Sequence, residues 1–353
     1  MSQQRSLFAR LWGRLGIATA RDAATRAERF SKRLDHHEKR TKRINEILDQ
    51  HEQRASAVAD TAADLKASVA KLQQAIAAAG DQARLLALAR KQDLASLDTV
   101  PRLAAELEQC SGAIEAHIEG AIARAVVSAD PFPHVLIDQL LPTAFYNRIL
   151  EALPMADYWR SSGRARDYWE INTDVGPWET EVVWRFVDQR VVDQMLRPRL
   201  VETFRHHLAD YWRDSFAVDG ASVRYHTDEG RLQLRRKGYL LRPHLDPPHA
   251  ALTRLFYLAR PGDDPRYGTG LYKPSSPLPV KRNGIYYPED HGIALENVAA
   301  VPFHANTLLV WMTSLGPHGA DLTAPDVPKS LERYTYQFQF VTDDNTRRRV
   351  KAK

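Results

Sequence analysis

Cysteine occurs once in this 353-residue chain, at Cys110, so no disulfide can form within it and a cysteine-ligated zinc site has too few thiolates. That usage fits a reducing, cytoplasmic setting. Apolar runs long enough to span a membrane are also missing. Arg5, Arg10 and Arg14 interrupt each apolar stretch near the N-terminus, which therefore does not read as a secretory signal. Proline is absent before Pro101, and glycine before residue 115 is confined to Gly13, Gly16, Gly80 and Gly112. Residues 18–79 contain neither, and this lack of breakers predicts a long helix.

What the chain does contain is a globular composition, 44% hydrophobic and 26% charged, with a net charge of +5 that is unevenly placed. Residues 1–43 carry 12 Arg and Lys against 4 Asp and Glu. Within the predicted helix, Phe30, Leu34, His37, Thr41, Ile44, Leu48, His51, Ala55, Val58, Ala62, Leu65, Val69, Leu72 and Ile76 alternate steps of four and three, the spacing of a coiled-coil seam. Self-association into a homo-oligomer follows from such a seam; a helical hairpin within one chain is the alternative. Gly80 is expected to break the helix, a shorter one to run to about Ser96, and Pro101 to open another with Leu103, Leu107, Cys110, Ile114 and Ile118 on its apolar side.

Leu7, Phe8, Leu11, Trp12 and Leu15 share one helical face with arginines opposite, which makes residues 1–20 a basic amphipathic helix. Such a helix can touch an anionic surface through residues 5–16, placing the protein peripherally at the inner membrane surface, or pack as an ordinary surface helix. Nucleic acid is not expected as a partner, because the aromatics are not interleaved with the charges as a stacking platform requires.

From about residue 130 the punctuation changes to short alternating runs between Pro, Gly and Asp. PFPHVLIDQLLP reads as a strand and turn, AFYNRILEAL as a helix and RVVDQMLRPRLVETFRHHLADYWRDSF as one or two more. ASVRYHT, GRLQLRR, GYLLRPHLD, ALTRLFYLA, TGLYKP, NTLLVWM and RYTYQFQFV then follow as strands without intervening helices. This order predicts an α+β chain ending in an antiparallel double-sheet jelly roll.

In RPHLDPPH, His244 and Asp246 stand at i and i+2, where a strand turns both side chains to one face. His318 follows the apolar strand NTLLVWM, where a sandwich can return the chain to the same end. Two imidazoles and one carboxylate leave open positions on a metal, the facial set of non-haem Fe(II) oxygenases. Arg333 opens the strand RYTYQFQF with Thr335, Gln337 and Gln339 on its face, and a guanidinium inside a sandwich calls for an anion.

The succession GYLLRPHLD, LTRLFYL, GTGLYKP, VPFHANTLLVW, PHG and R-x-T resembles the Fe(II)- and 2-oxoglutarate-dependent dioxygenases, specifically the prolyl-4-hydroxylase-like branch, over roughly residues 131–342. The resemblance implies a double-stranded β-helix (jelly roll, cupin-like) with flanking helices, and a hydroxylase of a protein, glycan or small molecule. It implies Fe(II) on His244, Asp246 and His318, and 2-oxoglutarate clamped by Arg333 with help from Thr335 and Tyr239. O2 would be the oxidant and ascorbate an accessory reductant. Two departures stand out: DLTAPDVPKS lengthens the gap from His318 to Arg333 to 15 residues, and the family's GG turn is written Gly268-Thr269-Gly270.

The expected domains are 1–20 (basic helix), 21–128 (helical coiled coil), 129–345 (catalytic) and 346–353 (basic tail). Substrate recognition is expected from residues 155–190, where Tyr158, Trp159, Tyr168, Trp169, Trp178 and Trp184 either stack on a sugar or clamp a peptide or else pack against neighbouring helices, and from the loop 273–292, where Lys273, Lys281 and Arg282 either steer an anionic substrate or form a solvated face. A catalytically silent jelly roll acting as a scaffold through its coiled coil is the alternative. A zinc hydrolase is disfavoured, since it gives Arg333 no use and the chain lacks an H-E-x-x-H helix.

Overall fold

The computed structural model describes residues 2–96, 99–161, 163, 165–171, 176–228, 230–279, 284–344 and 346–348. Of residues 2–24, 26, 27, 30, 33, 34, 78, 82 and 85–96 it describes the backbone alone. The apolar face of Leu7, Phe8, Leu11, Trp12 and Leu15, together with Lys281, Arg282 and residues 349–353, lies outside what is described. The chain divides into two compact units, Met1–Ala79 and Gly80–Lys353. Among the described residues no helix is long and apolar enough to cross a membrane.

The first unit consists of helix α1, which runs Ser2–Ser96 and so continues into the second. The expected break at Gly80 does not occur. One glycine inside a helix costs only about 1 kcal/mol, which neighbouring good helix formers absorb. No turn interrupts residues 30–76, so the hairpin alternative is not found. The seam residues Ile44, Leu48, Val58, Leu65, Val69, Leu72 and Ile76 are 46–68% exposed.

In the second unit, α2 (Thr99–Arg124) buries Leu103, Leu107, Ile114, Ile118 and Ala121. Cys110, expected on that apolar side, is exposed. Strand β1 (His134–Ile137) and α3 (Thr143–Glu151) follow as the sequence predicts. Strands β2 (Arg160–Ser161) and β3 (Arg166–Glu170) and helix α4 (Trp178–Phe186) then occupy the segment expected to meet substrate. A π-helical stretch (Val187–Leu196), α5 (Arg197–Thr203) and α6 (Arg205–Phe216) complete the helical layer.

The remaining strands are β4 (Tyr225–Thr227), β5 (Arg231–Arg235), β6 (Leu240–His244), β7 (Ala250–Tyr257), β8 (Thr269–Pro274), β9 (Leu295–Val301), β10 (Thr307–Met312), β11 (His318–Asp321) and β12 (Arg333–Thr342). They form two antiparallel sheets. The larger is ordered β1-β10-β7-β12-β5-β3-β2, with β4 also on β12, and the smaller β6-β11-β8-β9. From β5 onward the chain crosses between sheets at each connection except β8 to β9, which is the winding of a double-stranded β-helix.

Alternation along each strand fixes two apolar layers. Leu255 and Tyr257 of β7, Leu271 of β8, Val301 of β9 and Leu309 and Trp311 of β10 pack together between the sheets. On the other face of the larger sheet, Leu232, Leu252, Phe256, Leu308, Val310, Tyr336, Phe338 and Phe340 pack against α2, α3, α4 and α6. Tyr158, Trp169 and Trp184 belong to this second layer and are at most 2% exposed. Trp184 donates from Nε1 to Ala152 O (2.7 Å) and half-buried Trp159 to Pro154 O (2.8 Å). Half of the aromatic group expected to clamp a substrate is thus core. Trp178 alone of the six is substantially exposed.

Candidate metal centre and anion pocket

β6 and β11 are neighbours in the smaller sheet, and His244 and His318 are register partners. Their imidazoles consequently lie side by side, with ring centroids 4.4 Å apart. β6 ends at His244; beyond it Leu245 makes a two-way backbone bridge to Tyr286 (2.8 and 2.9 Å). That bridge keeps the chain extended for one more residue and brings Asp246 back to the histidines. Asp246 Oδ1 lies 3.5 Å from His244 Nε2 and Oδ2 lies 4.0 Å from His318 Nε2. One donor atom from each residue falls within 4.8 Å of the other two, and all three side chains are buried.

The surrounding hydrogen bonds prepare this donor set. His244 Nδ1 lies 3.0 Å from Arg242 O, and His318 Nδ1 lies 3.0 Å from Gly316 O. A carbonyl only accepts, so each Nδ1 carries a proton and each Nε2 is the ring atom left to face Asp246. Burial, together with the charge of His244, lowers the His318 pKa to about 4, which keeps that ring neutral at physiological pH. Burial alone would raise Asp246; hydrogen bonding from His244, the charges of His318 and His244 and the Thr253 hydroxyl hold its carboxyl below the ordinary range. Thr253 Oγ1 (3.0 Å) and Gln339 Nε2 (3.2 Å) both donate to Asp246 Oδ2 and fix its orientation. Two imidazole Nε2 atoms and a carboxylate on one side of a point fit a first-row divalent ion with open positions, Fe(II) among them.

The centre forms one wall of a cavity of about 230 Å³ between the sheets. Arg333 lines the same cavity, 3% exposed. Its Nε donates to Tyr267 O, and its Nη2 to Gly268 O (3.3 Å) and Thr269 Oγ1 (3.2 Å), while the rings of Tyr257 and Phe303 flank the guanidinium. Burial lowers its pKa from the ordinary arginine value. Gly268 is required here, because a Cβ would stand 1.7 Å from Val301 O, and any shift would move the carbonyls that hold Arg333.

Tyr239 also lines the cavity, although strict alternation along GYLLRPHLD points it away from His244. It lies before β6 begins, in a turn where Gly238 N donates to Leu322 O and Leu322 N to Tyr239 O, both at 2.8 Å. Leu322, Val327 and Leu331 of the long β11–β12 connection pack with Tyr239 and Tyr267 in a small cluster of their own. The 15-residue gap is thus a folded flap that returns the chain to Arg333. Thr335 is fully buried, its hydroxyl donating to Gln233 Oε1 (3.3 Å), and it does not line the cavity.

His249 and His291 stand outside the donor group, His291 stacked on Tyr286, and His304 is exposed. Lys273 is exposed and lies 3.6 Å from Asp130. Sequence reasoning missed Arg235, Arg166, Gln233 and Tyr287, all of which line the cavity. The alternation that singled out Arg333 would have found two of them, since GRLQLRR puts Gln233 and Arg235 on one face.

No protein-family model matches the chain, and no curated protein matches it. Among solved structures it is similar to a Pseudomonas putida prolyl-4-hydroxylase, 16% identical over 65% of this chain and 98% of that one, with a TM-score of 0.36. It is also similar to HygX from Streptomyces hygroscopicus with nickel, 2-oxoglutarate and hygromycin B bound (16% identity, 59% of this chain, 82% of that one, TM-score 0.35). A third likeness is to a Trichoplax adhaerens prolyl hydroxylase in complex with a hypoxia-inducible-factor peptide (12%, 69% and 94%, TM-score 0.34). At such TM-scores the chemistry has to stand on the geometry of the site itself.

Proposed function

We propose that the second unit is an Fe(II)- and 2-oxoglutarate-dependent oxygenase acting as a hydroxylase. The observation that carries this reading is the buried His244–Asp246–His318 donor group sharing one cavity with the buried guanidinium of Arg333. His244 and His318 would hold the ion through Nε2, and Asp246 through its carboxylate. Arg333 would take the distal carboxylate of 2-oxoglutarate, with Tyr239 beside it and Thr335 acting indirectly through its hydrogen bond to Gln233. Iron bound there supplies O2 activation coupled to oxidative decarboxylation of 2-oxoglutarate to succinate and CO2, with a hydroxyl delivered to the substrate. Leu255 and Trp311 form apolar parts of the cavity wall and restrict water near the donors.

Self-association through the seam of α1 belongs to the same proposal. Side chains at heptad spacing that are about half to two-thirds exposed fit a second copy of the same helix.

The test is an anaerobic titration with Fe(II) and then 2-oxoglutarate, read by the visible charge-transfer band of the chelated cosubstrate. The native chain is expected to give the band only with both components, and Asp246→Ala to give none. Arg333→Gln should weaken 2-oxoglutarate binding about 10- to 100-fold, the worth of a charge-assisted hydrogen bond. A native protein that gives no band would overturn the assignment in favour of a catalytically silent scaffold.

A further inference from the structure

The cavity contains more positive charge than one cosubstrate carboxylate requires. Arg166 on β3, Arg235 on β5 and Arg333 on β12 occupy a single rung of the larger sheet: Arg166 is the register partner of Arg235, and Arg235 of Arg333. All three line the cavity. Like charges directly opposite across strands destabilise a sheet, and burial sharpens the cost. The middle residue carries most of that cost, since Arg235 is only 3% exposed.

Among the described residues no carboxylate is paired with Arg235. Arg235 donates from Nη1 to two backbone carbonyls, Asp167 O at 3.0 Å and Leu234 O at 3.5 Å, and its guanidinium lies 4.8 Å from the centre of the Tyr239 ring. The nearby carboxylate of Asp167 is committed to Arg236 instead. Several other arginines of the unit do meet carboxylates: Arg160 meets Glu170, Arg242 meets Asp290 and Arg260 meets Glu332. Burial, reinforced by the charges of Arg166 and Arg333, holds the Arg235 pKa below that of an ordinary arginine. A guanidinium kept in this state, buried and aimed into a cavity, is a preformed anion site.

We propose that Arg235, with Arg166 at the more exposed end of the rung, binds a small oxyanion of the primary substrate, a carboxylate or phosphate, while Arg333 holds the cosubstrate. The primary substrate is therefore anionic. This inference rests on the assignment of Arg333 to 2-oxoglutarate. It adds a second anion on the neighbouring strand, and the two would be bound together.

Calorimetric titration of the full-length protein with inorganic phosphate and, separately, with acetate tests it, each with and without anaerobic Fe(II) and saturating 2-oxoglutarate. At least one probe is expected to bind the native protein with little change when 2-oxoglutarate is present. The probe that binds more tightly distinguishes a phosphate-bearing from a carboxylate-bearing substrate. Arg235→Gln should weaken the probe about tenfold or more and leave 2-oxoglutarate affinity within about threefold. Arg166→Gln changes an exposed side chain and carries little folding risk; it should weaken the probe by about threefold. Displacement of the probe by 2-oxoglutarate would overturn the proposal, as would failure of both probes to bind. So would an Arg235→Gln variant that loses 2-oxoglutarate as Arg333→Gln does, since the two arginines would then clamp one ligand. Probe binding that depends on Arg235 in a protein that never binds 2-oxoglutarate would remove the cosubstrate reading and leave the anion site standing.

Discussion

Helix α1 exposes side chains that proteins usually bury, whereas the sandwich buries side chains that proteins usually expose. Along the helix, Leu65 and Ile76 are about two-thirds open to solvent. Between and beside the sheets, Arg235, Arg254, Arg333, His244 and Asp246 are all less than 9% exposed. Both arrangements are costly in an isolated chain, one through apolar hydration and the other through lost solvation of charge. The difference teaches where each unit is incomplete. On the proposals above, the helix would be completed by apolar surface from a second copy, and the sandwich by a cation at one wall of its cavity and anions at the other.

The comparison breaks most visibly at the helix. Leu65→Asp combined with Leu72→Asp places charge in the seam and should reduce the mass by light scattering from an oligomer to a single chain. The same variant should leave the Fe(II) and 2-oxoglutarate titration of the sandwich unchanged. An unaltered mass would show that the seam is not the contact.

Acid should act on the sandwich. The His318 pKa falls from 6.5 to about 4 on folding, so the unfolded state binds more protons between those values. Stability of the metal-free protein tied to this residue is fully present above pH 6.5 and is lost as pH falls toward 4, by about 3 kcal/mol. Denaturant midpoints measured across that window check the direction, and His318→Gln should flatten the slope.

A smaller effect separates functional from incidental burial. Arg254 is fully buried on the helix-facing side of β7 over the rings of Phe338 and Phe340, and none of its three nitrogens has a hydrogen-bond partner. Arg254→Met should raise the unfolding free energy by about 2 kcal/mol, because a buried charge is exchanged for a side chain that packs. Metal and anion binding on the opposite face should not change.

Much of this was legible in the sequence, and the exceptions have physical causes. Period-2 alternation announced β5 and β12, largely apolar runs announced β7 and β10, and the inward face of β12 followed from its alternation. β2, β3, β9 and β11 were missed. LENVAAV is amphipathic in neither period, and HGAD is too short and glycine-bearing to look like a strand; pairing with β6 and β8 makes it one. Tyr158, Trp169 and Trp184 could be read either as a ligand clamp or as core, because composition cannot distinguish a binding aromatic from a buried one, and the structure makes them core. The spacing of His244, Asp246 and His318 was readable, but their orienting contacts were not. Gln339 reaches Asp246 across 93 residues, and the carbonyls of Arg242 and Gly316 carry no side-chain signature.

The flap between β11 and β12 donates no side chain to the donor group, yet Leu322, Val327 and Leu331 back Tyr239 and Tyr267, which in turn abut Arg235 and Arg333. Its length is therefore free to drift while its three apolar anchors are not. A graft that kept those anchors would alter the surface around the cavity and leave the wiring inside it untouched, giving an engineer an adjustable part next to fixed machinery.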